Sequence, residues 1–311
     1  SPQMLALLLL WLTLGTAVTA GGGRGGALSF LALGDWGGLP DPPFVTPRQV
    51  ATAAAMGQAA TELGGDFVLA LGDNFYYEGV RDEWDPRFQD TFERVFVSPG
   101  LRGVPWYVLA GNHDHAGNVT AQLRYSHHSP RWYGPSVPKC PQMSPSVPKC
   151  PQEVPKSPQG VLACPRVPQA LSPPRACCWA VPTLSPSPPR GVPKAPRECP
   201  QHGPTPCLLR LLRPLLRRHR VTAYLCGHDH NLQYLEEGGV GYVLSGAGNF
   251  MEDSRPHEGS VPPGSLRFFY GTPTSPGGFA HLRLEPGAVT VTFLEATGRV
   301  LHRVTLPPRH P

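Results

Sequence analysis

The sequence predicts an α/β fold around a largely buried sheet, and three observations carry that prediction. Apolar runs alternate with helical patterns from Ala27 to about Trp132, each of those runs ends in a Gly-Asp or Gly-Asn pair, and strand-like runs resume beyond Cys207 and finish in a hairpin. The 311 residues are enough for one large domain or two smaller ones, and a hydrophobic content of 40% fits a globular core. A net charge of +5 mildly favours anionic substrates. No long Lys/Arg run marks a nucleic-acid footprint, so nucleic acid is not an expected partner.

Residues 1–20 come first. Leu5 to Leu12 is an unbroken apolar stretch, followed by small residues ending at Val18-Thr19-Ala20, the pattern of a cleavable secretory signal. A membrane anchor is the alternative, but the stretch is short for spanning, so no stable membrane association is expected. The sequon Asn118-Val119-Thr120 agrees with passage through the secretory pathway and makes Asn118 a candidate glycosylation site.

Residues 21–133 supply strands at Ala27 to Leu33, Phe67 to Leu71 and Val104 to Ala110. Thr46-Pro47 signals an N-cap and first turn, and the Ala-rich run that follows reaches Leu63 before Gly64-Gly65 closes it, which predicts a helix. Asp85-Pro86 opens a second, with Phe88, Phe92, Val95 and Phe96 at helical spacing on a core-facing stripe.

Residues 134–200 break this grammar. Pro-Ser-Val-Pro-Lys-Cys-Pro-Gln occurs at Pro135 to Gln142 and again at Pro145 to Gln152, and about half of the 40 prolines lie between Pro135 and Pro206. Proline removes a backbone donor and fixes φ, so this segment reads as a disordered insert, with a polyproline partner site as the minority reading. Six of the eight cysteines fall in it, which weakens any designed disulfide framework.

Residues 201–311 return to regular structure. Leu208, Leu211, Leu212, Leu215 and Leu216 form an apolar helical stripe, with Arg210, Arg213, Arg217, Arg218 and Arg220 mostly elsewhere, as on a solvated face. Pro214 should kink that helix or restart it. Strands are expected at Val221 to Cys226, Val240 to Ser245, Phe279 to Leu284 and Val289 to Leu294, the last two joined at Pro286-Gly287.

Four clusters carry chemistry: Gly34-Asp35-Trp36-Gly37-Gly38, Gly72-Asp73-Asn74-Phe75-Tyr76, Gly111-Asn112-His113-Asp114-His115 and Gly227-His228-Asp229-His230. Each follows a predicted strand, and the carboxyl ends of strands in an α/β sheet share one rim, so the clusters can converge. Asp, Asn and His without cysteine describe a site for iron, zinc or manganese. A carboxylate such as Asp73 can bridge two cations, and two metals about 3.5 to 4 Å apart stabilise both oxygens of an in-line phosphoryl displacement. Singly, each cluster also reads as a turn or a helix cap; all four in this order do not.

In that order and on those strand ends, GDWGG, GDNFYY, GNHDH and GHDH resemble the calcineurin-like metallophosphoesterases. Tyr76, three residues after Asp73, narrows the resemblance to purple acid phosphatases, and the runs Val221 to Tyr234 and Val243 to Met251 resemble their small mammalian-type branch. The resemblance covers about residues 27–133 and 201–311 and implies a four-layer α-β-β-α sandwich, with the proline-rich segment in place of central elements. It implies Fe(III) on Asp35, Asp73, Tyr76 and His230, with Fe(II) or Zn(II) on Asp73, Asn112 and His228. It further implies that His113, and His202 in His202-Gly203-Pro204-Thr205, face the substrate, where an imidazole can bind phosphate or protonate the leaving alkoxide. The implied protein is a secreted or lysosomal monomeric acid phosphatase. It would act on phosphate monoesters or phosphoproteins through attack by a metal-bound hydroxide.

The sequence departs from this family in one place. A Gly-His-x-Pro motif, which supplies a further second-metal histidine, is missing upstream of His202, where Arg197 to Gln201 stand instead. The cysteine that the family pairs with the position of Cys207 has no counterpart in matching context either, and Cys226 reads as a buried free thiol. The alternative reading is therefore a catalytically impaired protein, short of one second-metal ligand, that acts as a secreted binding protein.

Overall fold

A computed structural model describes residues 27–134, 206–255 and 258–309. The first apolar run forms β1 (Leu28–Leu33), whose alternate side chains feed two different cores. Leu31 and Leu33 point to one face, Phe30 and Ala32 to the other, and all four are almost fully buried. This two-sided burial explains why the run is apolar throughout rather than alternating.

Helix α1 (Pro47–Leu63) follows as expected. The Thr46 side chain accepts from the Gln49 amide, Pro47 stands at N1, and Gly64 ends the helix with its amide donating to Ala60 O. Strands β2 (Phe67–Ala70), β3 (Trp106–Val108) and β4 (Trp132–Tyr133) then add to β1 in parallel. The expected helix after Asp85-Pro86 is instead a π-helix at Phe88–Glu93, where the Arg94 amide reaches back to Gln89 O. Its predicted inward face holds, since Phe88, Phe92 and Phe96 are buried. Short helices α2 (Asn112–Ala116) and α3 (Val119–Arg124) lie between β3 and β4.

After residue 205 the chain enters α4 (Pro206–Arg218), a single element with Pro214 inside it rather than a restart at that proline. Strands β5 (Ala223–Cys226), β6 (Leu232–Glu237), β7 (Val240–Ser245) and β8 (Leu266–Tyr270) make a four-stranded sheet in the order β5-β7-β6-β8. Strands β9 (Gly278–Glu285), β10 (Ala288–Glu295) and β11 (Val300–Leu306) return to the first sheet and complete its order β11-β10-β9-β1-β2-β3-β4. The β9–β10 hairpin turns at Pro286-Gly287 as the sequence indicates.

These layers stack as helix, sheet, sheet, helix. Outside the seven-stranded sheet, α1 and the π-helix bury an aromatic-rich core centred on Trp36, whose ring meets Phe75, Phe92, Phe96, Trp106 and Trp132 at centroid distances of 5.4–6.3 Å. The second core fills the space between the sheets, with Phe30, Ala32, Leu282, Val291 and Phe293 from one and Leu232, Tyr234 and Val243 from the other. Arg213 and Arg217 of α4 reach Glu237 at the end of β6, which sets α4 against the second sheet.

Among the described residues both sheets are continuous, with β4 at an edge of the first and β5 at an edge of the second. The proline-rich segment, six cysteines, residues 1–20 and His202 lie outside the described residues. No helix among the described residues is long and apolar enough to cross a membrane.

Candidate metal centre

The four strand-end loops meet at the junction of the two sheets. Asp35 follows β1, Asp73 and Tyr76 follow β2, Asn112 opens α2 after β3, and His228 and His230 follow β5. The junction is stitched by backbone bonds, Gly34 N to Ser245 O at 2.7 Å and Asp35 N to Gly72 O at 3.0 Å. Side chains cross it as well, since the Ser245 hydroxyl donates to Ala32 O at 2.8 Å.

Three of the candidate residues adopt a left-handed backbone: Asp35 at φ 56°, Asp73 at φ 51° and His228 at φ 84°. This conformation costs a non-glycine residue about 1 to 3 kcal/mol and persists where the surroundings enforce it, commonly at functional sites. Here it turns each side chain from the strand end towards the common centre. Two glycines make room for the carboxylates. A Cβ at Gly111 would stand 2.1 Å from Asp73 Oδ1, and one at Gly227 would stand 2.5 Å from Asp35 Oδ2.

One half of the centre is interlocked and deeply buried. The Tyr76 hydroxyl donates to Asp35 Oδ1 at 3.1 Å and lies 3.0 Å from His230 Nε2, while Asp35 Oδ2 accepts from the His228 amide at 2.7 Å. Asp35, Asp73 and Tyr76 are at most 2% exposed. Burial, and then the neighbouring Asp73 carboxylate, push Asp35 well above the usual carboxylate range. Burial, followed by the charges of Asp35 and Asp73, pushes the Tyr76 phenol well above its ordinary value. An acid and a phenol crowded out of water beside a second carboxylate disfavour their own ionised forms, and a bound cation reverses that preference.

The other half is sparser. His228 Nδ1 lies 3.0 Å from Asn112 Oδ1, and both residues are partly exposed. Between the halves, Asp73 Oδ1 accepts from the His113 amide at 3.0 Å. The His113 ring donates through Nδ1 to Tyr77 O at 2.8 Å, which leaves Nε2 as its second ring nitrogen. Counting His, Cys, Asp and Glu alone, no group of three or more among the described residues is arranged to hold a metal. The oxygens of Tyr76 and Asn112 add to the gathered Asp and His side chains two hard donors of the kind suited to iron and to divalent cations.

Two supporting residues escaped the reading of the sequence. Asp114 is fully buried and accepts from the amides of Asn74, Phe75 and Gly111 and from the side chains of Asn74 and Gln122 at 2.7–3.1 Å. It ties the loop after β2 to the loop after β3, and burial followed by the Asp73 charge pushes it up to about 7. Glu252 lies 3.0 Å from His230 Nδ1, a carboxylate partner of the kind that fixes a metal-facing imidazole in one tautomer. Only the sequence Gly-Asn-His-Asp hinted at the first, and nothing hinted at the second.

Asn118 caps α3, its Oδ1 accepting from the Ala121 amide and its Nδ2 donating to Arg81 O, each at 3.1 Å. The residue is exposed.

A two-sheet sandwich with Asp, Asn and His on its strand-end loops defines the calcineurin-like phosphoesterase class, and residues 28–146 match that family. Tartrate-resistant acid phosphatase type 5 of Mus musculus is 45% identical over 324 residues, covering 98% of this chain and 97% of the relative. Purple acid phosphatase 4 of Arabidopsis thaliana is 29% identical over 295 residues, covering 89% and 83%. The chain therefore belongs to the purple acid phosphatase family, on the side of the type 5 tartrate-resistant enzymes. Family membership supports phosphoric monoester hydrolysis and implies a binuclear metal centre. Among solved structures, GAP50, the anchor in the inner membrane complex of Plasmodium, shares the fold with a TM-score of 0.59 at 20% identity, over 91% of this chain and 90% of that one.

Proposed function

We propose that the chain is a secreted or lysosomal, monomeric acid phosphatase that cleaves phosphate monoesters or phosphoproteins at a mixed-valence or mixed-metal pair. Asp35, Asp73, Tyr76 and His230 hold Fe(III), Asp73 is shared, and Asn112 and His228 complete the site for Fe(II) or Zn(II). When bound, the two ions supply Lewis acidity for the phosphoryl group and a low-pH nucleophile from water.

The protein's own residues do the rest. Asp73 sets the separation of the two halves from one buried side chain. His113, anchored through Nδ1 on Tyr77 O, presents Nε2 to protonate the leaving alkoxide. His202 acts as a second outer histidine, and Asn118 carries a glycan.

What supports this reading most is the contact of Tyr76 with both Asp35 and His230, which gathers loops from both sheets around one phenol. Its test is metal content together with the visible absorption spectrum. A tyrosinate-to-iron band is expected in the native protein and should vanish in a folded Tyr76→Phe variant. A band that survives that substitution refutes the assignment of Tyr76.

A second reading has a specific observation behind it: among the described residues the second half offers only Asp73, Asn112 and His228. A metal-poor binding protein would contain one metal per chain and show no turnover, whereas two metals with turnover exclude it.

A further inference from the structure

The basic end of α4 is a feature that phosphate-ester hydrolysis does not use. Leu216-Arg217-Arg218-His219-Arg220-Val221 is a short cationic run, and all four of its polar residues are exposed. Arg213 lies one turn before Arg217, and Arg309 arrives from the strand β11 side, donating to Val221 O at 3.2 Å and Gly238 O at 3.1 Å. Arg217 stands over the Gly238-Gly239 turn beside it.

Arg213 and Arg217 share one carboxylate, Glu237, while Arg218 and Arg220 follow at the same helix end and Arg309 binds the adjoining Val221 and Gly238 carbonyls, which makes five guanidiniums in this region (Arg213, Arg217, Arg218, Arg220 and Arg309). The neighbouring Glu236 is directed to Arg267 at 3.9 Å, and Arg218 and Arg220 are not ion-paired among the described residues. Counting these five guanidiniums against Glu237, the local balance is +4. Like charges so concentrated repel one another, and an anionic partner that bridges them relieves that repulsion.

We infer that Arg213, Arg217, Arg218, Arg220 and Arg309 form a docking surface for a sulfated polysaccharide. The cations spread over a helix end, a loop and a C-terminal segment rather than lining a pocket, which fits a linear, repeating polyanion better than a single phosphate. A short Arg-rich run of this kind is a pattern of heparin or nucleic-acid patches. Binding of a nucleic-acid single strand relies on aromatic stacking platforms. The exposed aromatic residues Tyr77, Trp84, Tyr107 and Tyr133 all lie outside this surface, and the aromatic ring beside Arg213, Arg217 and Arg309, Tyr242, is partly buried against Tyr224 rather than presented as a stacking platform, which favours the glycan. The surface also stands clear of the metal centre. Val221 and Gly227 bracket β5, so six residues at a strand rise of about 3.3 Å place the two about 20 Å apart.

The test is affinity for a heparin oligosaccharide of defined length, read by calorimetry and by elution from immobilised heparin, alongside desulfated heparin and single-stranded DNA. The full-length wild type should bind the sulfated chain and elute at higher salt than from a plain cation exchanger. Combined Arg217→Ser, Arg218→Ser and Arg220→Ser substitution should weaken binding by about tenfold or more, with turnover of a small phosphate ester unchanged. The single exposed change Arg218→Glu should lower the elution salt without touching the fold. Unaltered elution of both variants overturns the inference, as does equal binding of desulfated heparin. Tighter binding of single-stranded DNA than of heparin reassigns the surface to nucleic acid and overturns it too.

Discussion

The two halves of the candidate centre are built to different standards. Around Tyr76, three loops interlock through contacts of 2.7–3.1 Å centred on the buried Asp35 and Tyr76, whereas Asn112 and His228 share one contact at 3.0 Å at the partly exposed side. The Tyr76 half is an extension of the hydrophobic core, since Trp36 and Phe75 are sequence neighbours of Asp35 and Tyr76 and are both 0% exposed. The Asn112 half hangs from a five-residue helix. Rigidity in this centre is therefore inherited from packing on one side and from polar ties on the other.

That contrast can be broken from its strong side first. Trp36→Ala removes the ring around which five aromatic side chains pack and should cost about 3 to 5 kcal/mol in denaturant unfolding, the largest effect expected here. A loss below about 1 kcal/mol would show that the Tyr76 half does not lean on this core. Next comes Asp114→Asn, which points an amide N–H at backbone N–H donors and should cost about 2 to 4 kcal/mol while loosening both halves together. Asn112→Ala, by comparison, should change stability by less than about 1 kcal/mol and leave a tyrosinate band intact. If the two variants behave alike in unfolding and spectrum, the halves are not independent.

A pH ramp gives the smallest effect and asks whether scaffold or centre fails first. For Glu295, burial favours the neutral acid, but hydrogen bonds from Arg299, Tyr270 and Thr297 outweigh it and hold the carboxyl down to about 2. A depressed acid stabilises the fold fully above its ordinary value of 4.5 and loses that contribution as pH falls through about 2. His281 works in the same direction at higher pH: burial depresses its charged form, so its contribution is present above 6.5 and declines as pH falls through the lowered value. Asp114, pushed up to about 7, works in the opposite direction over part of the ramp, so the Glu295 contribution is read as the difference in thermal unfolding between wild type and Glu295→Gln, which should be largest above 4.5 and shrink as pH falls towards about 2. A difference that does not change with pH over that range would contradict the network around Glu295.

Much of this was legible in the sequence because single residues carried it. Thr46-Pro47 and Gly64 bounded α1, Pro286-Gly287 marked the last hairpin, and the glycine before each chemical cluster marked a strand end. The π-helix was hidden because Phe88, Phe92 and Phe96, four apart, satisfy an α-helical stripe equally well. Strands β6, β8 and β11 were hidden because their polar and apolar residues serve different neighbours; Glu236 and Glu237 of β6, for example, face Arg267 and the α4 arginines. Asp114 stood without a role inside the Gly-Asn-His-Asp cluster, and only the approach of Asn74, 40 residues earlier, gives it its structural task. Glu252 could not have been found, since its pairing with His230 exists only once the two loops are folded together.

The span of the centre along the chain also sets when it can come into being. Asp35 must wait for His228, 193 positions later, and Tyr76 must wait for His230, 154 positions later. At ribosomal speeds of about 5 to 20 residues per second, the first aspartate spends roughly 10 to 40 s without its partner. Neither half can close on a nascent chain that has not passed residue 230, so a metal could be captured only once about three quarters of the 311 residues have been made, and the compartment that receives the chain by then decides which ions it meets.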